Sequence, residues 1–296
     1  MAVVSDDLAQ LRLAITRCGG LVDVRPESIA RLAEKLAVLA STGRFGRLLS
    51  DLYACNDRSN LAALILEATF AHSFEERGRV LAYEVTQHSA ATTSVDFLRV
   101  ASPELSIYFE LRLLQQTEDI RRRIDAQLDQ GDRFAIALDG EGEAREVLRL
   151  QNVLLSKVQD SRGMPVKFLA TGRGDRNIVV VEITNMILGA IDRTDCVLAT
   201  YGDPQLEEHE RRQVFGLFQE PKASYPEHIQ AASRRFAHFR GIVHGVLFLY
   251  RSPLPAHYDF KLRYFFVPNY SLLAKAEAEA VAKEIRGVLV PWEPSA

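Results

Sequence analysis

The stretch 92–116, TTSVDFLRVASPELSIYFELRLLQQ, constrains this chain more than any other. Two segments rich in β-branched and aromatic residues meet at Ala101-Ser102-Pro103-Glu104, a link with the polar and proline character of a turn. Side chains two apart on a strand share a face. Tyr108, Glu110 and Arg112 therefore point one way, and Ile107, Phe109, Leu111 and Leu113 the other. Asp96 stands alone among apolar residues on the first segment. Pairing across the turn brings it near Glu110 if the register cooperates. A salt-bridged hairpin is the plain reading of these charges. The same three residues could equally supply the acids and cation of a metal-dependent phosphodiesterase site.

Around this hairpin the chain alternates helical and extended patterns. Residues 5–54 read as helices, with Leu8, Leu11 and Ile15, then Ile29, Leu32, Leu36 and Leu39 at helical spacing. A helix over 60–76 carries Glu67 inside its apolar stripe, and an extended segment at 80–86 completes an antiparallel meander with 93–101 and 105–114. Helix is expected at 117–130, a short strand at 133–138, a loop at 139–144 and helix at 144–158. Strands are expected at 165–170, at 177–183 and at 196–200. The run Ile178-Val179-Val180-Val181 is apolar without alternation, as in a strand covered on both faces. A polar helical region at 205–240 with a break at 221–226, strands at 241–250 and 259–267, and a helix at 274–285 close the chain. This order implies an α/β fold: a helical N-terminal extension over 1–57 followed by a mixed sheet flanked by helices over 58–296.

Composition narrows the function classes. Across 296 residues the charged fraction is 25% and the net charge −3, which argues against an overall basic coat but leaves room for a local basic groove. Three cysteines without a CxxC pair speak against a disulfide frame or a structural zinc. The first twenty residues lack a basic start and an unbroken apolar middle, and no window is apolar enough to span a bilayer. The expectation is a cytoplasmic protein without a membrane partner.

Other constellations carry less. The seven histidines are scattered and form no HExxH. His88-Ser89 beside Thr92-Thr93 has no GxSxG elbow to support a nucleophile, and the glycine-rich loop at 171–177 lacks the order of a phosphate-cradling loop. Arg121-Arg122-Arg123 reads as a solvated helix face. Arg234, Arg235, Phe236, His238 and Arg240 could face nucleic acid, but interleaved alanines favour an amphipathic packing helix.

In one respect the order of residues is more specific. A helix with Glu67, a strand with Ser94-Val95-Asp96, and a strand with Glu110-Leu111-Arg112 resemble the PD-(D/E)xK, restriction-endonuclease-like nuclease superfamily. The later stretches Ser156-Lys157-Val158-Gln159, IVVVEI and FFVPN are similar to members of it as well. The resemblance implies a restriction-endonuclease-like sheet and a Mg²⁺-dependent hydrolase cleaving phosphodiesters in DNA. Asp96, Glu110 and the Leu111 carbonyl would hold the ion, and Glu67, Asp96, Glu110 and Arg112 would act in catalysis. The pattern departs at Arg112, where the superfamily has a lysine: an arginine stays protonated and can stabilise charge but not accept a proton. Lys157 is the first candidate to stand in. The competing expectation is an inactive nuclease fold serving as a nucleic-acid or protein interaction module. The oligomeric state is left open, a homodimer included.

Overall fold

The computed structural model describes residues 2–19, 26–86, 94–114, 140–168, 172–184, 191–203, 214–250 and 262–292. Four helices come first: α1 (Ala2–Arg17), α2 (Pro26–Thr42), α3 (Gly46–Ala54) and α4 (Arg58–Glu75). The meander β1 (Ala82–Val85), β2 (Val95–Ser102) and β3 (Leu105–Leu113) follows, then α5 (Gly140–Leu155) and β4 (Asp175–Glu182). Next are α6 (Arg193–Tyr201), α7 (Glu227–Ile242), β5 (Gly245–Tyr250), β6 (Arg263–Pro268), α8 (Lys275–Arg286) and β7 (Val290–Pro291). The strands form one mixed sheet in sequence order. β1, β2 and β3 are antiparallel, β3, β4 and β5 run parallel, β6 returns antiparallel to β5, and β7 runs parallel to β6.

The periodicities explain this layering. Along β4, Ile178 and Val180 join one hydrophobic cluster while Val179 and Val181 join another, so an unbroken apolar run is needed to bury both faces. β5 repeats the pattern, with Leu247 and Leu249 on one side and Val246 and Phe248 on the other. The first cluster is continuous from Leu11, Leu36 and Leu52 on the N-terminal helices through Phe70 and Phe74 on α4 to Phe97 and Phe109 on the meander. Phe70 touches Phe74, Phe97 and Phe109 at ring-centroid distances of 5.0, 5.6 and 5.3 Å. The second cluster gathers α5, α6 and α7 on the opposite face. The result is a three-layer α/β/α arrangement. No helix among the described residues is long and apolar enough to cross a membrane.

Several local expectations need correction. Residues 196–200 are helical, inside α6, because Asp192 and Asp195 form a reciprocal capping box that starts a helix at Arg193. No strand forms over 165–168, where Pro165 makes only an isolated bridge to Gln159; 169–170 lie outside the described residues. Residues 140–144 belong to α5 rather than to a loop. Residues 241–242 close α7, so that strand begins at Gly245. The helix expected at 117–130, with Arg121-Arg122-Arg123, the strand at 133–138, and His88-Ser89 lie outside the described residues.

Candidate active site

The site begins where the β2–β3 ladder stops. The register runs from Val100↔Ser106 to Phe97↔Phe109, and its next step would set Asp96 opposite Glu110. In place of that backbone pairing, Asp96 Oδ2 accepts the Leu111 N–H at 2.6 Å. A side chain thus satisfies a main-chain donor that the separating strands would otherwise orphan. It also fixes the Asp96 carboxylate beside the middle of β3.

Glu110 is fully buried on β3, and two lysines hold it. Lys157 Nζ donates to Oε1 at 2.6 Å, and Lys167 Nζ lies 2.7 Å from both Oε1 and Oε2. Lys167 Nζ is also 3.9 Å from Asp96 Oδ1, so one ammonium spans the two carboxylates. The lysines converge because the chain after α5 forms a small hairpin. Asp160-Ser161-Arg162-Gly163 is its turn, with the Gly163 N–H on the Asp160 carbonyl and Gly163 at φ +80°. Asp followed three residues later by a left-handed Gly is the signature of such a turn. Asp160 Oδ1 further accepts the Arg162 and Met164 N–H groups, and Val166 donates to the Val158 carbonyl. Continued one step beyond Val158 and Val166, this register sets Lys157 across from Lys167 at the hairpin's base.

Glu67, on α4, completes the cluster. Its Oε2 accepts from the Tyr83 hydroxyl at 3.0 Å. Burial, reinforced by the charge of Asp96, raises the Glu67 carboxyl to about 8, so it keeps its proton at neutral pH. Burial and the neighbouring Glu110 also raise Asp96, to about 6; Lys157, Lys167 and the Leu111 N–H limit the rise. Burial works against the Lys167 ammonium, but Glu110 and Asp96 outweigh it and hold its pKa above the ordinary value. The charges are then nearly balanced near neutrality: two carboxylates against two ammonium groups, with Glu67 neutral. Two non-glycine residues with positive φ, Glu84 at 51° and Phe168 at 49°, sit directly beside Tyr83 and Lys167. Such strained backbone tends to gather at functional sites.

The residues expected from the sequence divide into two groups. Glu67, Asp96 and Glu110 converge on one another and on Lys157. Arg112 is exposed, and among the described residues it makes no hydrogen bond or ion pair with Asp96 or Glu110. Leu111 takes part through its N–H. Lys167 escaped the sequence reading; its only signal was its place ten residues after Lys157, across a turn-forming Asp-Ser-Arg-Gly.

The donor chemistry fits a hard divalent ion. Carboxylate oxygens are its preferred ligands, and Mg²⁺ usually takes one or two while keeping several waters. Asp96 Oδ1 makes no hydrogen bond among the described residues, its nearest cation being Lys167 at 3.9 Å. No group of three or more His, Cys, Asp or Glu among the described residues could hold an ion by itself. Comparison of the chain with protein-family models, with curated proteins and with solved structures gives no match.

Proposed function

We propose that the chain is a metal-dependent phosphodiesterase acting on DNA, on a restriction-endonuclease-like sheet. The observation that carries this reading is the convergence of Asp96 and Glu110 on one ammonium, Lys167, at 3.9 and 2.7 Å. The order of elements supports it as well: an acid-bearing helix, an antiparallel meander with an acid on each of its last two strands, then a parallel β4.

Asp96 and Glu110 would hold Mg²⁺, with the Leu111 carbonyl as the third protein ligand that the resemblance implies. When bound, the ion polarises the scissile phosphate and lowers the pKa of a water. The chain's own groups do the rest. Lys157 and Lys167 supply fixed positive charge where a phosphate gains negative charge, while Arg112 is exposed and makes no ion pair with Asp96 or Glu110 among the described residues. Glu67 holds a proton near neutral pH. Oε2 accepts from Tyr83, so Oε1 would be the oxygen that carries the proton offered to a leaving group.

Plasmid and single-stranded DNA incubated with Mg²⁺ or Mn²⁺ and either the wild type or Asp96→Ala test the reading. Nicking by the wild type that falls at least about 100-fold in the variant is expected, the scale of losing one electrostatic group. Cleavage indifferent to Asp96, or absent with both metals, overturns it.

One observation favours a second reading. Both Glu110 oxygens already have lysine partners, so the cluster is internally neutralised and could be a structural device in an interaction module. Calorimetric titration with Mg²⁺ separates the two. Site-specific binding lost in Glu110→Gln supports the enzyme, and no binding supports the module.

A further inference from the structure

The hairpin that delivers the lysines has a second face. Together with α7 and the end of α5 it walls an open groove of about 510 Å³, several times the size of one phosphate group. Arg162 of the hairpin tip and Arg234, Arg235 and His238 of α7 line it, with Asn152 and Gln159 at its floor. The same helix buries Ile229, Phe236 and Phe239 in the core. The amphipathic packing that the sequence suggests is therefore what turns its basic residues outward.

The charges in this groove are only partly compensated, and those of Arg162 and Arg234 by exposed ion pairs. Arg235 donates to Asn152, a neutral amide, at 2.7 Å. Arg234 pairs with Glu227 at the rim, both side chains mostly exposed, an arrangement that contributes little. Asp160, the one acid in the lining, accepts two hairpin N–H groups at Oδ1, and its Oδ2 pairs with Nε and Nη2 of the largely exposed Arg162 at 3.4 Å. His238 Nε2 is buried and has no hydrogen-bond partner among the described residues. Three guanidinium groups around an open channel suit a row of phosphates better than a single anion. The turn after α5 joins groove to acidic cluster: Ser156 lines the first while Lys157 holds Glu110 in the second.

Resting on the nuclease reading, we propose that this groove carries the sugar-phosphate backbone of a nucleic-acid strand that extends from the acidic cluster. Arg162, Arg234 and Arg235 contact successive phosphates. The contacts are to backbone, so they hold a strand irrespective of base sequence.

Fluorescence anisotropy of a labelled 20-base single-stranded DNA, in EDTA so that cleavage cannot intervene, tests the groove alone. Relative to wild type, Arg162→Ala/Arg234→Ala/Arg235→Ala should raise Kd at least about tenfold at 100 mM salt. It should also reduce the slope of log K against log salt by about 2, near 0.7 per lost contact. The triple lysine variant should keep most of the slope, and circular dichroism should show all three proteins equally folded. An unchanged Kd and slope in the alanine variant, no binding by the wild type, or displacement by polyglutamate as readily as by unlabelled DNA would each overturn the groove. The nuclease reading fails separately: groove-dependent binding with no metal-dependent cleavage ends that reading and leaves the groove standing. Asp96-dependent cleavage with binding untouched by the arginine variants does the reverse.

Discussion

At the scale of single residues, the site depends on which cations serve Glu110. A carboxylate with no solvent exposure must be paired, because an isolated ion there costs many kcal/mol. Glu110→Gln would leave Lys157 and Lys167 facing each other without their counter-ion. Urea denaturation should show a loss of about 3 kcal/mol, the scale of breaking a buried pair. The pH dependence belongs to this scale too. Asp96 has to be ionised and Glu67 protonated, so cleavage should have an acid and an alkaline limb, each displaced by the ion's charge below the values of about 6 and about 8 in the metal-free chain. In Glu67→Gln the alkaline limb should disappear while the acid limb stays. A persistent alkaline limb would remove Glu67 from the reaction.

At the scale of elements, the 157–167 hairpin and the separated ends of β2 and β3 build the site. Gly163 at φ +80° lies at an exposed tip with open space where a Cβ would stand. A β-branched residue is disfavoured at that φ, so Gly163→Val should open the turn and displace both lysines at a cost of no more than about 1–2 kcal/mol. Cleavage falling tenfold or more against a small change in the urea midpoint is the expected result, and activity tracking stability alone would contradict it. How far this was legible varies by element. The meander could be read, because period-two alternation and the Pro103-Glu104 turn are local signals, and so was the pairing of Asp96 with Glu110 up to register. α6 was misread: nine residues centred on Cys196-Val197-Leu198-Ala199-Thr200 are too few to show a helical period. The decisive signal was the Asp192 and Asp195 cap just ahead of them. Lys167 was out of reach for a different reason. Its role exists only after α5 has docked on the sheet and the hairpin has turned back, and no spacing in the chain encodes that encounter.

At the scale of the whole molecule, three layers enclose a polar cluster that couples stability to pH. Glu67, raised from an ordinary 4.5 to about 8, keeps a proton that the unfolded chain has lost between those values. The native state binds more protons there, so stability falls as pH rises, by up to about 1.4 kcal/mol per unit. Asp96, raised from 3.8 to about 6, acts in the same direction at lower pH. His244 opposes them below 6.5: burial and the Arg176 charge lower it to about 4, and its contribution is lost as pH falls through that value. The window from 6.5 to 8 therefore isolates Glu67. There, the wild type should lose stability with rising pH, and Glu67→Gln should be flat. On the proposed function, Lys167, not Arg112, is the cation of a phosphodiester-cleaving site. Mg²⁺-dependent plasmid cleavage by Lys167→Met and Arg112→Ala, assayed side by side with equal folding verified, tests it most directly. A loss of at least about 100-fold in Lys167→Met with Arg112→Ala within a few-fold of wild type is the expected result, and the opposite ordering would contradict it.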